Sequence, residues 1–130
     1  RDGLLEFIRV LFRSHAPTAH RPMPANDILT ALLDVIRERQ KCADPAGSYV
    51  ASLMAKGDDA ILKKVGEEAA EVLLAAKNGA PGPLSNEVAD LWFHTLVLLV
   101  HKGLSLEDVT DVLAQRFGLS GHAEKAARNN

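Results

Sequence analysis

Between positions 91 and 100 the chain carries large apolar residues on nearly every side of a helix: Leu91, Trp92, Phe93, Leu96, Val97, Leu98, Leu99 and Val100. A helix with that pattern has to be central and covered on most sides, because an all-round apolar surface leaves no face for water. Yet Glu87, Asp90, His94 and His101 fall within an arc of roughly 60° on the same helix, at about 100° per residue. Ionisable groups on a buried helix cost free energy unless they are paired, hydrogen-bonded or bound to a cation. That stripe is therefore the first place to look for chemistry.

The remainder of the chain supplies helices to cover it. Aromatic residues are only 5% of the 130, and no alternating apolar pattern marks a strand. Asn26 or Asp27 caps a helix carrying Ile28, Leu29, Leu32, Leu33 and Ile36 to about Gln40. Ser48 caps a short helix that stops at Gly57, and Asp58 or Asp59 opens a long one that Asn78-Gly79 closes. The segment 80–84, with Pro81 and Pro83, is expected as a rigid connection, and Ser85 or Asn86 begins the apolar helix, which runs to Lys102 and stops at Gly103. Ser105 and Asp108 form a capping box for a last helix ending near Phe117. The fold class is all-α, an antiparallel bundle of four to five helices.

The organisation is one domain over residues 26–118, preceded by an extension over 1–25 and followed by a polar tail over 119–130. Leu4, Leu5, Phe7, Ile8, Leu11 and Phe12 recur at helical spacing in the extension, and three prolines with His15 and His20 read as a linker behind them. The chain opens at Arg1 rather than Met, with Met23 a candidate start. Fifteen Lys and Arg against 17 Asp and Glu leave a net charge of −2, so no global cationic field exists to hold nucleic acid. The longest apolar run, 96–100, falls far short of the roughly 20 residues of a membrane span, so no membrane is expected as a partner. A single cysteine, Cys42, excludes an internal disulfide and suits a cytoplasmic location.

On a helical wheel of the long helix, Ile61, Leu62, Val65, Ala69, Val72, Leu73 and Ala76 form one apolar face. Glu68 lies on its border, Lys64 and Glu71 lie beside it, and Glu67 points away. Glu87 and Asp90 on the next helix repeat the i, i+3 spacing of Glu68 and Glu71, and the short connection makes the two helices antiparallel neighbours. Four converging carboxylates either rise in pKa or gather positive charge. An all-oxygen set is hard and suits Mg²⁺ or Mn²⁺ better than Zn²⁺, and Mg²⁺ commonly binds phosphate oxygens along with carboxylates. Solvated pairs on helix faces are the plain alternative.

The order Glu67-Glu68-Ala69-Ala70-Glu71, then Glu87-Val88-Ala89-Asp90, resembles the EExxE…ExxD signature of the MazG-like nucleotide pyrophosphohydrolases. The blocks Ala43-Asp44-Pro45, Ser48-Tyr49-Val50-Ala51, Ala55-Lys56-Gly57, Lys63-Lys64-Val65-Gly66, Ala75-Ala76-Lys77-Asn78-Gly79, Asp90-Leu91-Trp92-Phe93-His94 and Gly103-Leu104-Ser105-Leu106-Glu107-Asp108-Val109 are similar, in order, to the phosphoribosyl-ATP pyrophosphohydrolases of histidine biosynthesis. The resemblance covers residues 28–117. It implies Mg²⁺-dependent hydrolysis (Mn²⁺ substituting) of phosphoribosyl-ATP between its α and β phosphates, giving phosphoribosyl-AMP and pyrophosphate. It also implies a homodimer with the site near its interface, for which Trp92, Phe93 and the surplus apolar surface are available.

By match to the motif, Glu68, Glu71, Glu87 and Asp90 hold the metal, with Glu67 ranked below them. Glu71 and Glu68 are the catalytic candidates, Glu71 as general base. Lys56, Lys63, Lys64, Ser48 and His94 are candidate substrate contacts; pairing with Glu68 is the alternative for Lys64, capping for Ser48 and a satisfied core position for His94. Gly66 in mid-helix suggests close approach of another helix or of ligand. Two other functions share features of this pattern: a housecleaning pyrophosphohydrolase of (d)NTPs, and a non-catalytic helical dimerisation protein. The blocks around Ser48, Tyr49 and Lys56 favour the histidine-pathway enzyme over the housecleaning one.

Overall fold

The computed structural model describes residues 24–42, 44–117 and 128. The proposed helix over 3–13, the linker histidines His15 and His20, and nearly all of the tail lie outside these. Among the described residues there are five helices and no strand: α1 (Ala25–Cys42), α2 (Tyr49–Lys56), α3 (Asp58–Asn78), α4 (Pro81–His101) and α5 (Leu106–Arg116). No helix among the described residues is long and apolar enough to cross a membrane.

Local chemistry sets the ends. Ser48 Oγ accepts the Ala51 N–H at the start of α2, and Ser105 and Asp108 close a reciprocal capping box on α5. The αL conformation that ends α3 falls on Gly79, with φ at 79°, where a side chain would be strained. One boundary differs from expectation. Residues 80–84 are not a separate connection, because α4 begins at Pro81 and only Gly79 and Ala80 link it to α3. Prolines fit there because the N–H groups of a first turn have no intrahelical partner to lose. Ser85 Oγ donates back to the Pro81 carbonyl from one turn further on.

The two-residue link forces α3 and α4 to run antiparallel in close contact. Their far ends are tied as well: His101 Nε2 lies 2.8 Å from Asp58 Oδ1, and Lys102 Nζ lies 2.6 Å from Asp58 Oδ2. Hydrogen bonds from Lys102 and His101 hold the Asp58 carboxyl below its usual range. The core joins Leu32, Leu33 and Ile36 of α1, Val50 and Leu53 of α2, Ile61 of α3, and Phe93, Leu96, Val97 and Val100 of α4. The apolar helix α4 is thus central, as its composition demands. Coverage by the described residues is incomplete, however, since Trp92 remains 54% exposed.

The buried face of α3 is rotated from the expected one. Ile61, Glu68 and Ala75, seven residues apart, are its buried positions, whereas Leu62 and Leu73 of the expected face are 49% and 69% exposed. Gly66 meets no close neighbour either: a Cβ there would have nothing within 4 Å. With α-helical backbone and open space, Gly66→Ala should stabilise the protein by up to about 1 kcal/mol, read as a higher urea midpoint with unchanged slope. A lower midpoint would place another molecule against this position.

Candidate metal centre

The stacked pair α3 and α4 brings three acidic side chains together. Glu68, Glu87 and Asp90 each offer a carboxylate oxygen, and these oxygens lie within 4.8 Å of one another. Glu68 and Asp90 are buried, at 3% and 5% exposed, and Glu87 is half-buried. Oε2 of Glu68 and Oε2 of Glu87 are shut off from solvent. Glu87 and Asp90 share one face of α4 because they are three residues apart, and α3 turns Glu68 toward them from across the antiparallel contact. Glu71, half-buried further along α3, stands outside this trio.

Lysines border the cluster on α3. Lys64, one-third exposed, has its Nζ 3.4 Å from Glu67 Oε2 and 4.0 Å from Glu68 Oε1. The pairing with Glu68 weighed from sequence is therefore present but long, and Lys64 also faces the outer carboxylate. The Glu67 side chain is 47% exposed, and Lys63, 77% exposed, reaches it at 3.9 Å. Lys56 is exposed at the end of α2.

Beneath the carboxylates lies a hydrogen-bonded chain that spacing alone did not announce. His94 is fully buried; its Nδ1 lies 2.8 Å from the Asp90 carbonyl oxygen and its Nε2 2.8 Å from Tyr49 Oη. A carbonyl only accepts, so Nδ1 carries the hydrogen, Nε2 is the lone pair, and the Tyr49 hydroxyl donates to it. Burial pushes the His94 imidazolium below its usual pKa, which keeps the ring neutral. Burial, reinforced by the negative charges of Glu68, Glu67 and Asp90, pushes the Tyr49 phenol up to about 12. The phenol is protonated at any physiological pH and remains a donor.

Two candidate substrate contacts lie below the surface. Both ring nitrogens of His94 are engaged within the chain, and Ser48 is 4% exposed with its Oγ accepting the Ala51 N–H. Tyr49 is the residue that sequence reasoning passed over, although it stood inside a matched block. It is the only tyrosine in the chain.

Three carboxylates from two helices, all oxygen donors, fit a hard divalent cation, and the neighbouring imidazole is turned away as a ligand. The class is thus an all-α protein with an acidic cluster between antiparallel helices that could hold a metal ion. Residues 29–117 match the Phosphoribosyl-ATP pyrophosphohydrolase family. A phosphoribosyl-ATP pyrophosphatase of Neisseria meningitidis is 58% identical over 103 residues, 79% of this chain and 95% of the relative. That of Hydrogenovibrio crunogenus is 57% identical over 109 residues, 81% and 96% respectively, and that of Methylococcus capsulatus is 53% identical over 102 residues, 78% and 96%. The chain belongs to the phosphoribosyl-ATP pyrophosphohydrolase family.

Removing one charge from the trio relieves repulsion in the metal-free protein. Glu68→Gln should melt no lower than wild type in chelator, while the rise in Tm that Mg²⁺ gives wild type should vanish. An undiminished Mg²⁺ shift in the variant would exclude Glu68 as a ligand.

Proposed function

We propose that this chain hydrolyses phosphoribosyl-ATP to phosphoribosyl-AMP and pyrophosphate in a Mg²⁺-dependent reaction of histidine biosynthesis, in the cytoplasm. The observation that carries it is the convergence of Glu68, Glu87 and Asp90 within 4.8 Å, in a chain of this family. Glu68, Glu87 and Asp90 would hold the cation, with Glu71 completing the set from α3 and Glu67 at its outer edge. A bound divalent ion supplies charge for the phosphates and lowers the pKa of water.

The chain's own residues do the rest. Water attacks the α phosphorus, the bond to the oxygen bridging α and β phosphates breaks, and pyrophosphate leaves with that oxygen. Glu71, half-buried beside the trio, is the carboxylate assigned to take the water's proton. Lys64, Lys63 and Lys56 are the cations assigned to the phosphates. Lys64 is the best placed, because leaving Glu67 for a phosphate oxygen exchanges one anionic partner for another.

A second copy of the chain completes the assembly in this reading. Leu73 and Leu74 on α3, Trp92 on α4 and Leu113 on α5 are each more than half exposed, an uncommon load for a small domain. Trp92 further lines an open groove of ≈ 410 Å³ with Leu29, Leu96, Leu99, Val109 and Leu113. We assign these surfaces to a homodimer.

Pyrophosphate release should be seen with phosphoribosyl-ATP and Mg²⁺ and be lost in chelator, and dNTPs should be poor substrates. Release from dNTPs alone would establish the housecleaning reading, and no release from either the dimerisation protein. Glu68→Gln should lose about 100-fold or more in turnover. Sedimentation should give a dimer that Trp92→Glu dissociates, and a wild-type monomer at micromolar concentration would refute that assignment.

A further inference from the structure

We infer that Tyr49 is a positioning residue for the metal centre, holding the turn of α4 that bears Asp90 through the imidazole of His94. The inference rests on the metal reading of the trio and extends it to a residue on a different helix. Tyr49 opens α2, which is fixed in turn by the Ser48 cap and by burial of Val50 and Leu53. Its hydroxyl meets His94 Nε2 at 2.8 Å across 45 residues of chain. From there the ring reaches back one turn to the Asp90 carbonyl, also at 2.8 Å. The rings are wedged together: Tyr49 and His94 stand edge-on with centroids 5.9 Å apart, and Phe93 lies edge-on to His94 at 5.2 Å.

The geometry distinguishes holding from filling. An imidazole has two tautomers, and only the Nδ1–H form can donate to the Asp90 carbonyl while accepting from a phenol. The Tyr49 hydroxyl therefore selects the tautomer that ties His94 to the backbone of the carboxylate-bearing residue. Without it, Nε2 is a buried acceptor lacking its donor, and the ring gains by turning or exchanging tautomer. Either change releases the clamp on the Asp90 turn, whose carboxylate must meet Glu68 and Glu87 closely. Partners that orient a ligand in this way commonly contribute 10- to 100-fold in metal affinity.

The test compares wild type, Tyr49→Phe and a core variant on another helix, Leu33→Ala, each as the full chain. Two readouts do not depend on turnover: Mn²⁺ binding followed by electron paramagnetic resonance, and the His94 tautomer from long-range ¹H–¹⁵N correlations without metal. Wild type should show the Nδ1–H form. Tyr49→Phe should lose it as the single form and bind Mn²⁺ about 10- to 100-fold more weakly, while Leu33→Ala lowers stability and changes neither. His94→Gln, with a shorter reach and an amide in place of the ring, should weaken Mn²⁺ binding likewise and serves if Tyr49→Phe folds poorly. Unchanged Mn²⁺ affinity in Tyr49→Phe or in His94→Gln, or an equal loss in Leu33→Ala, would overturn the inference alone. Failure of wild type to bind Mn²⁺ would overturn the metal reading and this inference with it.

Discussion

Three acidic side chains gathered between two closely packed helices are the constraint on which the rest of this structure depends. Glu68, Glu87 and Asp90 offer oxygens within 4.8 Å of one another. At an effective dielectric of about 20, each fully ionised pair at that distance repels by about 3 to 4 kcal/mol. Three such pairs rival the total stability of a small domain, about 5–15 kcal/mol. A cluster of this kind is offset by hydrogen bonds or by neighbouring cations. Lys64 contributes only in part, since at 4.0 Å from Glu68 it stands nearer to Glu67 and is partly in water. Under the proposed metal reading, a compact divalent charge would offset the cluster and link its carboxylates to phosphates in a chain whose net charge is −2.

Rigid surroundings make such a cluster tenable. α3 and α4 are joined by two residues and tied at their other ends by Asp58 to His101 and Lys102, so neither helix can slide to separate the carboxylates. The core beneath, from Ile36 through Phe93 and Val97, fixes the rotation of α4. Close packing converts that rotation into an orientation for Glu87 and Asp90, because a buried helix cannot turn without opening voids.

What was legible in the sequence follows from the range of each interaction. Caps are local, so Ser48, Gly57, Gly79 and the Ser105–Asp108 box placed helix ends correctly. Pro81 misled because proline breaks a helix interior yet suits its first turn. The face of α3 was misread for a different reason. Periodicity counts apolar side chains, and it cannot separate those that meet their own core, such as Ile61, from those left outside, such as Leu73. Glu68 scores as polar, so its burial became visible only once α4 was in place. Tyr49 and His94 are paired across 45 residues, a contact that no local spacing encodes.

The apolar residues on the outer surface bear on the same constraint. α5 contributes no buried residue of its own, and its Val109, Val112 and Leu113 stay exposed together with Trp92 of α4. A helix so placed gains little from its own chain beyond the Ser105 capping box, since most helical stability in proteins comes from packing an amphipathic face. Among the described residues the central helix is likewise covered unevenly, with Phe93 buried and its neighbour Trp92 half in water. Under the proposed dimer, a second copy would cover Trp92 and with it the side of α4 that the described residues leave bare. Dimerisation and metal binding would then be joined through α4: apolar cover would stiffen the helix from without, and the carboxylates would gain from that stiffness within.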